Sequence, residues 1–342
     1  DYRRAIYDVL SAYRFELVHV HQLIGHTLDI VDVAKLMHVP IVLTCHDYYL
    51  ACPNHLLLDD DFVFCDGICT PGTGTCRHDS PWLLDAPPLK HRWVHEWRKR
   101  VTQALRSVDA VTMPSEDARL RHLRVLPVLQ GRPVFTIEHG LDLPSGRAAR
   151  APSGGEKIRI LFPGYLGRHK GLGAIEALHD ADVDGRLEFH FLGKMPRSAN
   201  RYGIDHGEYR RHDFVERVAK ISPAFIGVFS IWAESFCYVL SEAWLAGVPV
   251  IGTHLGAVGE RIRREGGGWT FDVRDVERLY RGILAIAENP AEYGRGMAAA
   301  QAATVRSIDD MQADYFALYR RIGQYRSAFR KPSRANADAL AQ

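Results

Sequence analysis

Two glutamates eight positions apart, Glu234 and Glu242, lie in the part of the chain with the strongest chemical signal. Glu234 follows an apolar run typical of a buried strand, and Glu242 falls about two turns into the next predicted helix. Both carboxylates can therefore face one cleft. The helix start between them leaves the backbone N–H groups of residues 235–238 without intrahelical partners, which suits a phosphate, and Glu242 could accept hydrogen bonds from two ribose hydroxyls. Alternatively, Glu234 caps the helix and Glu242 is a solvated surface charge.

The scaffold around these residues is predicted from alternating apolar runs and helical patterns. In the first half, strands are predicted at 15–21, 40–45, 109–113 and 134–137, with helices at the start of the chain and at 27–37. The second half repeats the alternation, with strands at 158–163, 187–192, 224–229 and 248–252 and helices at 171–179, 236–246, 257–264 and 275–288. Such alternation favours parallel sheets, whose ligands gather at the carboxyl ends of the strands. We predict an α/β protein of two Rossmann-like, doubly wound domains that face each other across a cleft.

The domain boundaries follow from where periodicity is lost. Residues 145–157 are rich in Ser, Gly, Pro, Arg and Ala and indicate a linker. We predict a first domain over 1–147, a second over 148–304, a helix over 305–330 whose Tyr315 and Tyr319 dock on the first domain, and a flexible tail over 331–342. Neither domain contains a Gly-x-Gly-x-x-Gly turn or a Walker loop, which disfavours a dehydrogenase or a P-loop enzyme.

Composition and charge exclude other classes of protein. The 342 residues are 46% hydrophobic and carry a net charge of +2, so nothing demands nucleic acid as a partner. No run reaches the roughly 18 to 20 apolar residues of a membrane span, and a cytoplasmic protein is expected. A basic amphipathic helix is predicted at 89–108, with Trp93, Trp97, Val101 and Leu105 on one side, and its alternatives are a core contact and peripheral contact with the inner membrane face.

The region around the two glutamates resembles the Glu-x7-Glu signature of the retaining glycosyltransferase family 4, whose members have the GT-B fold. The matching residues are Glu234-Ser235-Phe236, Glu242-Ala243, Gly247-Val248-Pro249-Val250-Ile251 and Gly256-Ala257-Val258-Gly259-Glu260. Upstream, residues 162–171 resemble the Gly-Arg-Leu-x-x-x-Lys-Gly loop of the same family. The family also begins with a Gly-rich loop after its first strand, which is missing here, so the resemblance implies an incomplete N-terminus.

The resemblance implies roles for individual residues. Glu242 would hold the ribose of the donor, Glu234 would contact the transferred sugar, and Lys170 would neutralise the diphosphate as the bond to the anomeric carbon breaks. His46 would lie at the cleft edge, against donor sugar or acceptor. The implied catalytic set is Lys170, Glu234 and His46, and the implied nucleotide-sugar site is Gly164, Tyr165, Arg168, Ser235, Phe236, Cys237, Tyr238, Leu240 and Glu242.

Two positions depart from the family pattern. Cys237 replaces a glycine at the expected phosphate site, so its side chain must point away or the donor must shift. Tyr165 replaces an arginine, and Arg168 becomes the candidate for a second positive charge. The alternatives for Lys170 and His46 are a solvated helix start and a loop histidine. His139, in the family's turn before the linker, is expected to be structural.

The implied reaction is the transfer of a sugar, with retention and without a metal cofactor, from a nucleotide-diphosphate sugar to a glycan or lipid-linked glycan, in the synthesis of a cell-surface polysaccharide. A sugar-nucleotide 2-epimerase of the same fold would act without an acceptor. A non-catalytic domain that binds nucleotide or glycan is the third alternative, which the set of Lys170, Glu234 and Glu242 disfavours.

Four of the six cysteines, Cys52, Cys65, Cys69 and Cys76, lie in a Gly-, Pro- and Asp-rich insertion at 52–78. Four thiolates within 25 residues suit a tetrahedral structural zinc, although paired C-x2-C motifs are lacking. Free thiols, two disulfides and an iron–sulfur cluster remain alternatives. His19 and His21 alternate along a predicted strand and are expected to face opposite sides, which disfavours zinc binding by that pair.

Overall fold

The computed structural model describes residues 2–13, 15–69, 76 and 91–329. The helices are α1 (Tyr2–Tyr13), α2 (Asp29–Leu36), α3 (His91–Leu105), α4 (Glu116–Val125), α5 (Leu172–Ala181), α6 (Phe214–Ile221), α7 (Tyr238–Leu245), α8 (Gly256–Glu265), α9 (Val276–Ala287), α10 (Pro290–Ala302) and α11 (Ile308–Phe329). The strands are β1 (Val18–Val20), β2 (Ile41–Thr44), β3 (Ala110–Met113), β4 (Val134–Thr136), β5 (Ile158–Tyr165), β6 (Leu187–Lys194), β7 (Ile204–Asp205), β8 (Phe225–Val228), β9 (Val250–Thr253) and β10 (Gly268–Phe271). The predicted tail 331–342 and most of residues 70–78 lie outside the described residues.

The first four strands form a parallel sheet in the order β1-β2-β3-β4. Strands β2 and β3 are buried along their whole length, which explains why they are continuous apolar runs rather than alternating ones. Side chains of α1 to α4 pack on one face of the sheet, with Trp97 of α3 fully buried among them. Residues of α11 cover Val42 and Ala110 on the other face.

The second sheet is also parallel, in the order β10-β9-β8-β5-β6-β7. Helices α5 and α9 pack on one face, and α6, α7 and α8 pack on the other. Strand β5 pairs with β6, the next strand in the chain, on one side and with β8 on its other side. The crevice at the carboxyl ends of β5 and β8 is therefore the topological switch point, where open α/β sheets bind ligands. The predicted fold class, two Rossmann-like domains, is confirmed.

The last helix returns to the first domain. The described chain between β4 and β5 has no helix or strand and leads to the second domain. It contacts the segment between α10 and α11, which leads back, and there the N–H of Leu141 donates to the carbonyl of Arg306 at 2.8 Å. On α11, Tyr315 is buried against the first sheet, and the hydroxyl of Tyr319 lies 2.5 Å from Nδ1 of His19.

Helix α3 buries most of its predicted apolar stripe. Trp97, Val101 and Leu105 are at most 1% exposed, whereas Trp93 is 40% exposed and the side chain of Lys99 is also largely in solvent. The stripe is therefore mainly a core contact. Across the described part of the chain, no helix is both long enough and apolar enough to cross a lipid bilayer.

Candidate functional site

A cavity of about 420 Å³ lies between the domains at the carboxyl ends of the strands. Its volume is within the range of small-ligand sites. His46 and His139 line it from the first domain. The loops after β5 and β8 and the start of α7 line it from the second, through Phe162, Pro163, Tyr165, Leu166, Lys170, residues 227–230, Trp232 and residues 234–239. The cleft predicted from the strand pattern is present.

Lys170 and Glu234 form an ion pair in this cavity, with 2.8 Å between Nζ and a carboxylate oxygen. Glu234 is 6% exposed and also accepts a hydrogen bond from the hydroxyl of Ser230. Burial is the largest single influence and by itself would raise the pKa of Glu234 and lower that of Lys170, but the opposite charges and the hydrogen bonds together outweigh it, so the carboxyl pKa falls and the ammonium pKa rises. Both groups are therefore charged at neutral pH.

Gly171 brings Lys170 to this position. Its φ is +89°, and a Cβ there would lie 2.0 Å from the carbonyl oxygen of Phe229 at the end of β8. Only glycine allows the two loops to approach so closely. The approach places Lys170 Nζ 5.6 Å from the ring centroid of Trp232, an aromatic wall that the sequence did not identify.

Helix α7 begins two residues later than predicted, at Tyr238. Cys237 precedes it with a φ of +70°, a left-handed conformation that glycine adopts readily and a side chain rarely does. The N–H groups of the first helical turn, which have no acceptor within the helix, are those of Tyr238, Val239 and Leu240, rather than those of residues 235–238. Burial, with the nearby Glu234, raises the pKa of the Cys237 thiol to about 12, so the thiol adds no charge to this helix end.

Glu242 is 3% exposed and lies outside the cavity wall, although it was predicted to hold the ribose. One carboxylate oxygen is 3.2 Å from Nε of Arg211, and the other accepts a hydrogen bond from the hydroxyl of Tyr209 at 3.1 Å. The guanidinium of Arg211 also lies 4.9 Å from the ring centroid of Tyr238. These two partners come from the segment between β7 and α6, and no motif identified them.

His46 belongs to a chain of histidines at the first-domain side of the cavity. Its Nε2 is 3.1 Å from Nδ1 of His21, and its Nδ1 is 3.2 Å from Nε2 of His139, whose ring stacks on Tyr238. Burial, reinforced by the neighbouring histidines, lowers the pKa of His46 and lowers that of His139 to about 4. Both ring nitrogens of His46 already contact other histidines. His46 can therefore hydrogen-bond to a sugar only if its contact with His21 or with His139 is broken.

The expectation that His19 and His21 face opposite sides is wrong. Their ring centroids are 3.8 Å apart. Strand β1 ends at Val20, so His21 lies beyond the last pleat, and the alternation of side chains no longer applies to it.

The predicted site residues at the end of β5 and in the loop after it lie in different surroundings. Tyr165 lines the cavity, and Gly164 packs under Val239 of α7. Arg168 is not among the residues that line this cavity. Its guanidinium stacks on Phe62 of the insertion at 4.2 Å and lines a separate cavity. Of the other predicted residues, Ser235, Phe236 and Cys237 line the main cavity, and the Ser235 hydroxyl donates to the carbonyl of His46 across the cleft.

The insertion packs against the loop between β8 and α7 of the second domain. Its four cysteines contact one apolar cluster that includes Tyr48 and Trp232. The Cys65 thiol donates to the carbonyl of Leu57 at 3.2 Å, the Cys69 thiol donates to that of Gly67 at 3.8 Å, and an Arg98 N–H donates to Cys69 Sγ at 3.6 Å. None of the six cysteines is joined in a disulfide. Among the described residues, no three His, Cys, Asp or Glu side chains have the geometry of a metal site, so the structural zinc stays a prediction.

Two protein-family models match the chain, one in each half. The family Glycosyltransferase Family 4 matches residues 1–144, and Glycosyl transferases group 1 matches residues 157–289. No curated protein sequence matches the chain.

Several solved structures share the fold at low sequence identity. Sucrose-phosphate synthase from Thermosynechococcus elongatus is 17% identical with a TM-score of 0.60, over 94% of this chain and 77% of the other. HepE from Anabaena, in complex with UDP and glucose, is 14% identical with a TM-score of 0.59, over 92% and 80%. A UDP-forming α,α-trehalose-phosphate synthase from Burkholderia vietnamiensis is 14% identical with a TM-score of 0.60, over 95% and 78%. The common feature is the GT-B arrangement of two Rossmann-like domains.

Proposed function

We propose that the chain is a group 1 glycosyltransferase of family 4 and that, on its GT-B fold, it transfers a hexose with retention from a nucleotide-diphosphate sugar to a glycan or a lipid-linked glycan. We propose a role in the synthesis of a cell-surface polysaccharide. The second domain would bind the donor, and the first would bind the acceptor.

The observation that carries the proposal is the Lys170–Glu234 ion pair in the cleft, beside the start of α7. When the bond between the anomeric carbon and the diphosphate breaks, its electron pair goes to the phosphate oxygen. The Lys170 ammonium and the N–H groups at the start of α7 can stabilise that charge without a metal ion. The acceptor hydroxyl attacks from the same face, and its proton can pass to the departing diphosphate, so no side chain must act as a strong base.

Glu234 would fix the transferred sugar. Its carboxylate is charged and already accepts from Lys170 and Ser230, so it is held in one orientation at the cavity wall. Sugar hydroxyls would add further hydrogen bonds to its oxygens. This supports a role in positioning the anomeric carbon rather than in proton transfer.

Glu242 would bind the ribose after exchange of its partners. Ribose hydroxyls would take the places of Tyr209 and Arg211 on the carboxylate. The displaced Arg211 guanidinium is mobile enough for this because its side chain is 55% exposed.

The acceptor is proposed to approach along the first domain. A lipid-linked acceptor would bring the protein to the inner face of a membrane, where Trp93 and Lys99 on the outer side of α3 could contact lipid. Liposome flotation with and without Trp93→Ser tests this part separately from catalysis.

The experiment that tests the function is a thermal-stability screen of UDP-, GDP-, ADP- and dTDP-sugars. UDP-sugars come first because UDP is bound in the structure of HepE. A donor at 100 times its dissociation constant should stabilise the fold by about 2.7 kcal/mol. The stabilising donor is then incubated with glycan acceptors. Formation of a glycosylated product supports transfer, whereas conversion to an epimeric nucleotide sugar without acceptor supports the epimerase, and binding without any reaction contradicts both.

A further inference from the structure

Glu260 connects the two domains. It ends the Gly256–Glu260 turn that matched the family pattern and lies on α8 of the second domain, yet its carboxylate reaches α4 of the first domain. One oxygen accepts from the backbone N–H of Asp117 at 2.6 Å, and the other accepts from that of Glu116 at 3.3 Å.

The contact completes the N-terminal cap of α4. Ser115 accepts from Ala118 N–H at 3.2 Å, and Glu260 takes the two N–H groups that Ser115 does not reach. A negative carboxylate is also favoured at this end of a helix by the helix dipole. Glu260 of the second domain therefore accepts from the two N–H groups of α4 that Ser115 does not reach. This part of the cap exists only while the two domains are in contact.

The same helix α8 is hydrogen-bonded to the loop between β8 and α7, which carries Glu234. Ala257 N–H donates to the carbonyl of Glu234 at 2.9 Å. A Cβ on Gly256 would lie 2.6 Å from backbone atoms of Ala233 and Glu234, so the two segments are packed with no space between them. A displacement of α8 from the first domain must therefore carry the backbone of Glu234 with it.

We propose that Glu260 is a positioning residue that latches the two domains and thereby holds Glu234 against the first-domain side of the cleft. The latch is the pair of hydrogen bonds from Glu116 and Asp117 to Glu260. A second contact crosses the same boundary beside the latch: Arg264 of α8 pairs with both carboxylate oxygens of Glu138, at 2.5 and 3.2 Å, and its Nη1 lies 3.9 Å from Glu260. The effect of this latch on turnover rests on the proposed transfer reaction, whereas its effect on the separation of the two domains does not.

The test compares Glu260→Ala and Glu260→Gln in the full chain. Small-angle scattering should show a larger radius of gyration for Glu260→Ala, because the domains separate more often. Turnover should fall about ten- to a hundredfold, the range expected when a charge-assisted hydrogen bond is lost. Nucleotide affinity should change less than about threefold, because the proposed ribose and diphosphate contacts lie within the second domain. Glu260→Gln keeps an oxygen acceptor and should lie between wild type and Glu260→Ala in each measurement.

The control is Glu277→Gln on α9, where Glu277 pairs only with Arg281 among the ion pairs of the described residues and both are exposed. It should match the wild type. Wild-type scattering and turnover in Glu260→Ala would overturn the latch, as would an equal loss of nucleotide affinity and turnover. If the wild type transfers no sugar, the proposed function fails, and the scattering comparison alone decides whether the latch exists.

Discussion

The Nε atom of Arg211 lies 3.2 Å from a carboxylate oxygen of Glu242. The residue proposed to hold the donor ribose is therefore paired with a cation that a nucleotide must displace. Glu242 is buried and Arg211 is largely exposed, so the carboxylate is the fixed partner and the guanidinium is the one that moves.

Replacement of Glu242 by Ala should weaken nucleotide binding about ten- to a hundredfold, because a hydrogen bond to a charged group contributes roughly 1.5 to 3 kcal/mol. Isothermal titration with the nucleotide identified by the screen measures the change. Arg211→Ala is the matched control: removal of the competing cation should leave affinity unchanged or tighten it by less than about fivefold, since exposed ion pairs contribute little. Undiminished affinity in Glu242→Ala would refute the ribose assignment.

Replacement of Lys170 by Ala should reduce turnover more than nucleotide affinity, because its charge is needed most as the leaving group develops. Steady-state kinetics and titration on the same preparation separate the two effects. Lys220→Ala, which removes a solvent-exposed ion pair with Glu216, should change neither. Equal losses of turnover and affinity would assign Lys170 to donor binding alone.

Stability should fall with acidification between about pH 6.5 and pH 4. Burial, followed by the influence of His46, His21 and Arg261, lowers the pKa of His139 from 6.5 to about 4. In that window the unfolded chain binds a proton at His139 and the native protein does not, so stability is full above the unfolded pKa and declines as pH falls toward the folded one. The loss should approach about 3 kcal/mol at pH 4.

Urea unfolding at several pH values measures this dependence. His139→Asn should reduce it without abolishing it, because burial also lowers the pKa of His19 and of His46, whereas His179→Asn, on an exposed helix surface, should leave it as in the wild type. A wild-type pH dependence in His139→Asn would show that other groups cause the acid sensitivity.

Protein purified without chelator should contain about one equivalent of zinc if the four insertion cysteines bind it. Elemental analysis gives the metal content, and Cys65→Ser should lower both zinc and the amide protection of the insertion, because structural zinc contributes directly to folding. Cys45→Ala, outside the insertion, should keep the metal. Metal-free protein with a protected insertion would leave these residues as free thiols packed against Trp232.

The sequence predicted those elements whose patterns are local. Buried strands such as β2 and β3 are uninterrupted apolar runs between loop residues, and their positions agree with prediction to within about a residue. Strand β10 was not predicted, because it begins at the end of a run of three glycines, residues 266–268, and such a run is typical of a loop. In the structure, Gly268 pairs closely with β9, where a Cβ would lie 2.2 Å from the carbonyl oxygen of Val250, so glycine is required by the packing there.

Long-range contacts at the site could not be predicted. Arg168 stacks on Phe62 because the insertion folds over the second domain, and the start of α7 shifts to Tyr238 because Cys237 takes a left-handed conformation. Tyr209 and Arg211 come to Glu242 from a segment with no motif. The site motifs predicted which loops meet, but the partners of each side chain depend on the packing of the two domains.

Transfer with retention is tested most directly by proton NMR of the anomeric configuration of the product. Spectra are recorded after transfer to glycan acceptors and, for hydrolysis by water, before the released sugar mutarotates. The account predicts that the product keeps the anomeric configuration of the donor and that Lys170→Ala largely abolishes its formation. An inverted product, formation unaffected by Lys170→Ala, or a bound donor that is never cleaved with any acceptor would contradict it.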